Sequence, residues 1–249
     1  METKKILALD SSGLVASVAV VESNGFDSSL LAEYTVNYKK THSQTLLPML
    51  DEIVQMTELD LESVDAIAVA AGPGSFTGLR IGSATAKGLG LALNKPLVAV
   101  STLDGLAYNL YGTEKLICPL MDARRNQVYT GIYEFQGDEL NCLEPPAAVD
   151  ITEIAGKLCA LGRDVILLGD GVPVYRYRLT EVLLTELYAA GKHCYFAPAH
   201  LNRQRAGTIG MLAFRYMREG NMQTAAEHQP VYLRLSQAER ERAAREQGI

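Results

Sequence analysis

The chain has 249 residues, of which 48% are hydrophobic, so it can bury the core of one large domain or of two small ones. Its formal net charge of −6 argues against a protein that grips nucleic acid by itself, because phosphate binding needs a concentrated cationic surface. We recognise neither a signal peptide nor an apolar stretch of membrane-spanning length, and therefore expect a cytoplasmic protein without membrane contact.

Strand and helix patterns alternate along the first half of the chain. Short apolar runs predict strands at residues 6–9, 16–21, 31–36, 66–70 and 96–100. Helical periodicity predicts helices over residues 44–56 and from about 76 to 93, and a third helix that Ser101 caps. The resulting order, βββαβαβα, is typical of an α/β domain.

The run from Ala71 to Gly82 predicts a strand end, a tight turn and the start of a helix. Gly72 and Gly74 can take positive φ angles, and Ser75 can cap the helix that follows. Small residues then recur every four positions on one helix face, at Gly78, Gly82, Ala86 and Gly90. Each glycine there costs roughly 1 kcal/mol of helix propensity, so this face must pack closely against another element of the chain or against a partner.

The second half of the chain repeats features of the first. The run Lys5–Asp10 is echoed by Lys115–Asp122, and a polar turn and a second apolar strand follow each of them. The apolar run 65–69 before its glycine turn likewise resembles the run 164–168 before Gly169-Asp170-Gly171. Two related α/β halves with a cleft between them explain this repetition, although short strands that end in aspartate can also recur by chance.

We expect the two lobes to join at the linker Asn109–Thr113. The amino-terminal lobe then comprises residues 1–108, and the carboxy-terminal lobe comprises residues 109–249. A late helix over residues 204–219, or the tail after it, can fold back on the first lobe. From Ser236 onward, alternating charges predict a frayed or solvated helix.

The turn Asp10-Ser11-Ser12-Gly13 is the first candidate binding site. Its amides and hydroxyls can hold a phosphate while Asp10 holds Mg²⁺, but the turn can equally be an ordinary hairpin. Gly169-Asp170-Gly171 occupies the matching place in the second half. His42, just ahead of the first helix, is a candidate base or metal ligand.

Arg80 is unusual because a cation in the first turn of a helix opposes the helix dipole. An anion or a carbonyl should lie near it, or the side chain simply extends over the surface. The chain has no hydrolase nucleophile elbow, no spaced histidine pair and no CxxC pattern. Few candidates for catalysis remain.

Four segments together resemble the bacterial TsaB (YeaZ) family, and the resemblance spans nearly the whole chain. They are the glycine motif Gly72–Gly82, the strand end Leu7–Ser12, the helix entry His42-Ser43-Gln44, and Pro230–Arg234. The resemblance implies the duplicated fold of actin, Hsp70 and sugar kinases (the ASKHA fold), with two lobes of βββαβα type. It also implies a role in attaching threonylcarbamoyl to N6 of adenosine 37 in ANN-decoding tRNAs.

The TsaB family is similar to its catalytic partner TsaD, in which a His-x-x-x-His motif carries a metal ion. That pattern, laid on this chain, falls on Thr102 and Leu106, and leucine cannot ligate a metal. The resemblance thus implies a noncatalytic, glycoprotease-like pseudoenzyme with no catalytic residue, no metal site and no tightly bound cofactor. The implied complex contains a TsaD-like catalytic subunit and a TsaE-like ATPase, and it is this complex that uses ATP and magnesium. The chain is expected to contact tRNA only as part of the complex.

In the family, partner binding uses the two helices of the first half, and a homodimer is expected for the isolated chain. Carried over, the interface residues are His42, Leu46, Met49, Leu50, Ile53, Gly78, Arg80, Gly82, Ala86 and Gly90. The alternative is that both helix faces merely cover their own sheet. A second functional hypothesis is a stand-alone ASKHA-type ATPase or phosphotransferase that uses Asp10 and Asp122 across the cleft.

Overall fold

Long apolar runs form the central strands because helices cover both faces of each sheet. The computed structural model describes residues 2–38 and 41–234. The predicted helix from Ser236 onward lies outside the described residues. The strands are β1 (Lys4–Asp10), β2 (Ala16–Ser23), β3 (Ser28–Val36), β4 (Ala66–Gly72), β5 (Leu97–Ser101), β6 (Leu116–Asp122), β7 (Gln127–Gln136), β8 (Glu139–Asp150), β9 (Val165–Leu168) and β10 (Cys194–Phe196).

Six α-helices connect and cover these strands in the described part of the chain. They are α1 (His42–Met56), α2 (Phe76–Ala92), α3 (Thr102–Tyr108), α4 (Ile151–Leu161), α5 (Gly171–Ala189) and α6 (Ala206–Arg218). Ser75 caps α2 and Ser101 caps α3, each through its side-chain oxygen, as the sequence predicts. None of these helices is long and apolar enough to cross a membrane.

The two sheets have the same topology. The strand order is β3-β2-β1-β4-β5 in the first sheet and β8-β7-β6-β9-β10, read from the equivalent edge, in the second. In both, the first two strands pair antiparallel, and the first strand also pairs parallel with the fourth. This match confirms the predicted duplicated α/β fold.

Helices pack on both faces of the first sheet. Leu7 and Leu9 of β1 point into a core with Leu46 and Ile53 of α1, beneath α1 and α2. The alternate β1 residues Ile6 and Ala8 point into a second core with α6. The alternation of strand side chains therefore divides the first lobe into two layers of core.

The last helix in the described part of the chain, α6, belongs by contact to the first sheet. Glu33 of β3 forms an ion pair with Arg205 and accepts a hydrogen bond of 2.9 Å from the backbone N–H of Gly207. Asp104 of α3 joins the lobes, because it accepts hydrogen bonds from the hydroxyls of Tyr133 in β7 and Tyr216 in α6. The division into residues 1–108 and 109–249 stays a prediction.

The small residues of α2 face their own lobe. A Cβ atom at Gly78 would lie 2.0 Å from the backbone oxygen of Ser11, and one at Gly82 would lie 2.5 Å from the Ser11 hydroxyl. Gly90 packs in the same way against Leu97. The close approach that the sequence predicts is therefore an internal contact with the β1–β2 loop and with β5.

We predict that Gly78→Ala lowers the free energy of unfolding by about 1–3 kcal/mol, because the added methyl group meets backbone that cannot move aside. Gly88→Ala on the same helix is the matched control. No atom lies within 4 Å of a Cβ at Gly88, so this change should raise stability by about 0.5–1 kcal/mol. Urea unfolding of both variants checks the prediction, and equal effects would contradict it.

Candidate functional site

The carboxyl ends of the central strands bring two tight turns together in each lobe. In the first lobe, the N–H of Ser75 donates to the carbonyl of Ser12 at 2.7 Å, and the Ser11 hydroxyl donates to the carbonyl of Gly78 at 2.8 Å. In the second lobe, the N–H of Asp122 donates to Asp170 at 3.2 Å. These turns form the facing edges of a cleft between the lobes.

Asp10 is turned away from this cleft. Its side chain is only 1% exposed and accepts hydrogen bonds from the N–H of Ser12 at 2.9 Å and from the Ser12 hydroxyl at 2.6 Å. Burial raises the pKa of Asp10 to about 6, although the bonds from Ser12 oppose this shift. The predicted set Asp10, Ser11, Ser12 and Gly13 therefore does not converge on a ligand, since only Ser12 and Gly13 line the cleft.

His42 is hydrogen-bonded to the same turn. Its Nε2 lies 2.9 Å from the carbonyl oxygen of Gly13, which can only accept, so Nε2 carries the proton. The ring fixes the β1–β2 loop against the start of α1. This contact gives His42 a structural role that its position in the sequence did not reveal.

The cleft is a cavity of about 560 Å³ between the lobes. Asp122 and Asp170 line its second-lobe side. Burial raises the pKa of Asp170, while Asp122 accepts a hydrogen bond of 3.0 Å from the hydroxyl of Tyr175. Both carboxylates are thus engaged by the second lobe's own groups.

The chain's own segment Val231–Arg234 also lines the cleft. The N–H of Val231 donates to the carbonyl of Ala71 at 2.7 Å, and the guanidinium of Arg234 donates to the carbonyl of Ala123 in the second lobe. The segment therefore crosses from one lobe to the other. The sequence marked these residues as part of a family motif and allowed the tail to fold back on the first lobe, but it did not indicate the contact with the second lobe.

Eight of the ten predicted interface residues are buried within the chain. Within the chain, the first lobe covers that face of both helices, and the predicted interface stays a prediction. These residues are Leu46, Met49, Leu50, Ile53, Gly78, Gly82, Ala86 and Gly90. His42 is half-buried and Arg80 is exposed.

Arg80 finds an aromatic partner where the sequence predicted an anion or a carbonyl. Its guanidinium carbon lies 4.0 Å from the centroid of the Phe76 ring, and its Nε donates to the Tyr232 hydroxyl at 3.4 Å. The ring face carries negative electrostatic potential, which offsets the opposed helix dipole.

The outward faces of α1 and α2 expose large apolar side chains beside small ones. Leu47 is 58% exposed, Met56 69% and Leu91 71%. Ala84 and Gly88 lie on the same side of α2 and are also exposed. A second helix pair could approach this surface closely.

Thr102 and Leu106, the positions on which the family resemblance places the His-x-x-x-His pattern, lie in α3 and are fully enclosed. Thr102 is 0% exposed and Leu106 is 1% exposed. The residues present do not fit a metal ion, because leucine offers no donor atom. Among residues 2–38 and 41–234, no group of three or more His, Cys, Asp or Glu side chains is arranged to hold one.

Known proteins resemble this chain over most of its length. A family model described as "TsaD: tRNA N6-adenosine threonylcarbamoyltransferase" matches residues 29–242. A Bacillus subtilis protein named "tRNA threonylcarbamoyladenosine biosynthesis protein TsaB" is 32% identical over 237 residues, which is 94% of this chain and 96% of that protein. The chain belongs to the TsaB (YeaZ) family.

Further relatives agree with this assignment. The Escherichia coli protein of the same name is 30% identical over 169 residues, 64% of this chain and 71% of that protein. The solved structure of YeaZ from Pseudomonas aeruginosa superposes with a TM-score of 0.71 at 29% identity, covering 92% of this chain and all of that one. A second Pseudomonas aeruginosa structure, described as similar to peptidase YeaZ, gives a TM-score of 0.75 at 30% identity and covers 93% of this chain.

We predict that Asp10→Asn removes a pH dependence of stability. Because burial raises the pKa of Asp10 to about 6, the folded state binds the Asp10 proton more tightly than the unfolded state does. The free energy of unfolding of the wild type therefore falls by about 3 kcal/mol as the pH rises from about 4 to about 6, and it stays at the lower value at higher pH. Asparagine can still accept from Ser12 and carries no charge. The difference between variant and wild type should therefore grow in favour of the variant as pH rises, as measured by urea unfolding at pH 4.5 and 7.5.

A constant difference across this range would contradict the prediction. The change Asp27→Asn is a suitable control, because Asp27 is exposed in the β2–β3 turn.

Proposed function

We propose that this chain takes part in the biosynthesis of threonylcarbamoyladenosine in tRNA as a noncatalytic partner of a TsaD-like catalytic subunit. It would work in the cytoplasm, in a complex that attaches threonylcarbamoyl to N6 of adenosine 37 in ANN-decoding tRNAs. The names of its relatives along nearly the full chain support the pathway. The noncatalytic role is supported by the enclosed, donor-free Leu106 at the position where the family resemblance places a metal-binding histidine of TsaD.

The alternative, a stand-alone ATPase or phosphotransferase, has little support in the geometry. It needs Asp10 and Asp122 to act across one cleft, yet Asp10 is buried beneath the β1–β2 loop and does not line the cavity. Its Oδ1 already accepts hydrogen bonds from the N–H and the hydroxyl of Ser12. We therefore assign ATP and magnesium to a TsaE-like ATPase of the complex.

The docking surface that we propose is the outward face of α1 and α2. The buried residues lie on the inner faces of these helices, whereas Leu91 of α2 is exposed, as are Leu47 and Met56 on opposite flanks of α1. Exposed small residues at Ala84 and Gly88 let another helix approach closely. A helix pair of the TsaD-like subunit would complete a four-helix bundle there, and a second copy of this chain would use the same surface in isolation.

We predict that Gly88→Arg abolishes co-purification with the TsaD-like subunit and leaves the chain folded. The site is open within the chain, since no atom lies within 4 Å of a Cβ at Gly88, but an arginine would hold a docked helix away. Tagged pull-down with quantification of the bound subunit measures the effect. Analytical ultracentrifugation of the isolated chain should show a parallel loss of dimer.

Gly156→Arg provides the matched control. Gly156 is a helical glycine of α4 in the second lobe, and a Cβ there also meets open space. This variant should bind the partner as the wild type does. Equal binding of the TsaD-like subunit by the Gly88 and Gly156 variants would contradict the proposed docking surface.

A further inference from the structure

Five arginines surround the mouth of the interlobe cleft, and we call them the arginine rim. They are Arg80, Arg124, Arg125, Arg178 and Arg234. Arg124 and Arg234 line the cleft itself, and Arg124 also lines an adjoining open cavity of about 370 Å³ together with Arg125 and Arg178. Arg80 joins the rim from the first lobe through its contacts with Phe76 and Tyr232.

Four of the five rim arginines are exposed, whereas Arg234 is half-buried and donates to the carbonyl of Ala123. The side chain of Arg124 is 83% exposed, and its ion pair with Asp122 is long, at 3.5 Å. Arg125 is exposed and forms no ion pair with any residue that the structure describes. The neighbouring carboxylates of Asp122 and Asp170 point inward, where they accept hydrogen bonds from Tyr175 and from the backbone.

The β6–β7 turn, which carries two of these arginines, is held in place by backbone hydrogen bonds. Arg124 and Arg125 lie in the β6–β7 turn, where the N–H of Ala123 donates to the carbonyl of Gln127 at 3.0 Å. The N–H of Ile151 donates to the carbonyl of Asn126 at 3.2 Å, which ties the turn to α4. Both guanidinium groups are therefore presented from anchored backbone.

Aromatic rings accompany the rim. Tyr232 lines the cleft and is 39% exposed. Tyr232 stacks on Phe76 with ring centroids 4.8 Å apart at the first-lobe side of the mouth. Guanidinium groups beside exposed rings suit a flexible polyanion with bases that can stack, which is the chemistry of unpaired RNA.

We propose that the arginine rim binds phosphates of the tRNA when the chain is part of the complex. The choice of RNA as the polyanion rests on the proposed function. A small nucleotide fits less well, because the rim arginines spread over both lobes while the cavity interior carries carboxylates. Because the whole chain has a net charge of −6, the rim binds RNA only weakly by itself and contributes to an interface shared with the partner.

The test uses the complex of this chain with the TsaD-like subunit and a fluorescently labelled, unmodified ANN-decoding tRNA. Anisotropy is recorded from about 50 to 200 mM salt, where phosphate contacts show as the slope of log K against log salt. The Arg125→Glu/Arg178→Glu variant should bind about tenfold or more weakly, and its slope should be shallower by about 2. Thermal unfolding checks that these surface changes leave the chain folded.

Lys192→Glu/Arg218→Glu is the matched control, because it removes the same charge from exposed residues that line neither cavity. It should bind tRNA within about twofold of the wild type. An equal loss in both double variants, or a rim variant that binds tRNA as the wild type does, would overturn the proposal.

Co-purification of the wild type with the TsaD-like subunit is measured before RNA is added. Its absence would count against the proposed function, and the rim would then be tested on the isolated chain at about 50 mM salt with the same variants. With the complex or with the isolated chain, weaker tRNA binding by the rim variant than by the control variant supports the proposal that the rim binds tRNA.

Discussion

The close contact between the start of α2 and the β1–β2 loop sets the geometry of the first lobe. Only a glycine at position 78 lets the helix backbone approach Ser11, and the hydrogen bond from Ser75 to Ser12 holds the loop in place. This contact buries Asp10 beneath the loop, and it also fixes Phe76, at the start of α2, beside the cleft mouth. The floor of the cleft and the first-lobe side of its mouth therefore depend on the same few backbone contacts.

Most of the fold follows from the sequence because its signals are local. Apolar runs that end in aspartate identify β1 and β6, and the repeat of their surroundings predicts the duplication that the two strand orders confirm. The long strand β8 gave no comparable signal, since it is only partly buried and contains Pro145 and Pro146. Proline is tolerated there because β8 lies at the edge of its sheet, where one side needs no partner strand.

The candidate site could be predicted only in part, because its contacts join residues far apart in the chain. The glycine spacing of α2 shows that something must come close, but the sequence does not say that Ser11, 67 residues before Gly78, is what comes close. Because the glycine face of α2 packs against Ser11 and Leu97, the exposed surface of α2 is on its opposite side. The crossing of the cleft by Val231–Arg234 likewise depends on hydrogen bonds to Ala71 and Ala123.

These contacts favour a body that acts through its surfaces. Val231 is tied to the first lobe and Arg234 to the second, so an opening or closing of the cleft would have to break hydrogen bonds that the chain makes with itself. With the lobes held in this way, the outward face of α2 and the arginine rim keep a fixed relation to each other. Arg80 belongs to both regions, since it lies on α2 and contacts Tyr232 at the mouth. On the proposals made above, a partner docked on α1 and α2 would therefore lie next to RNA bound at the rim, and the two could form one shared interface.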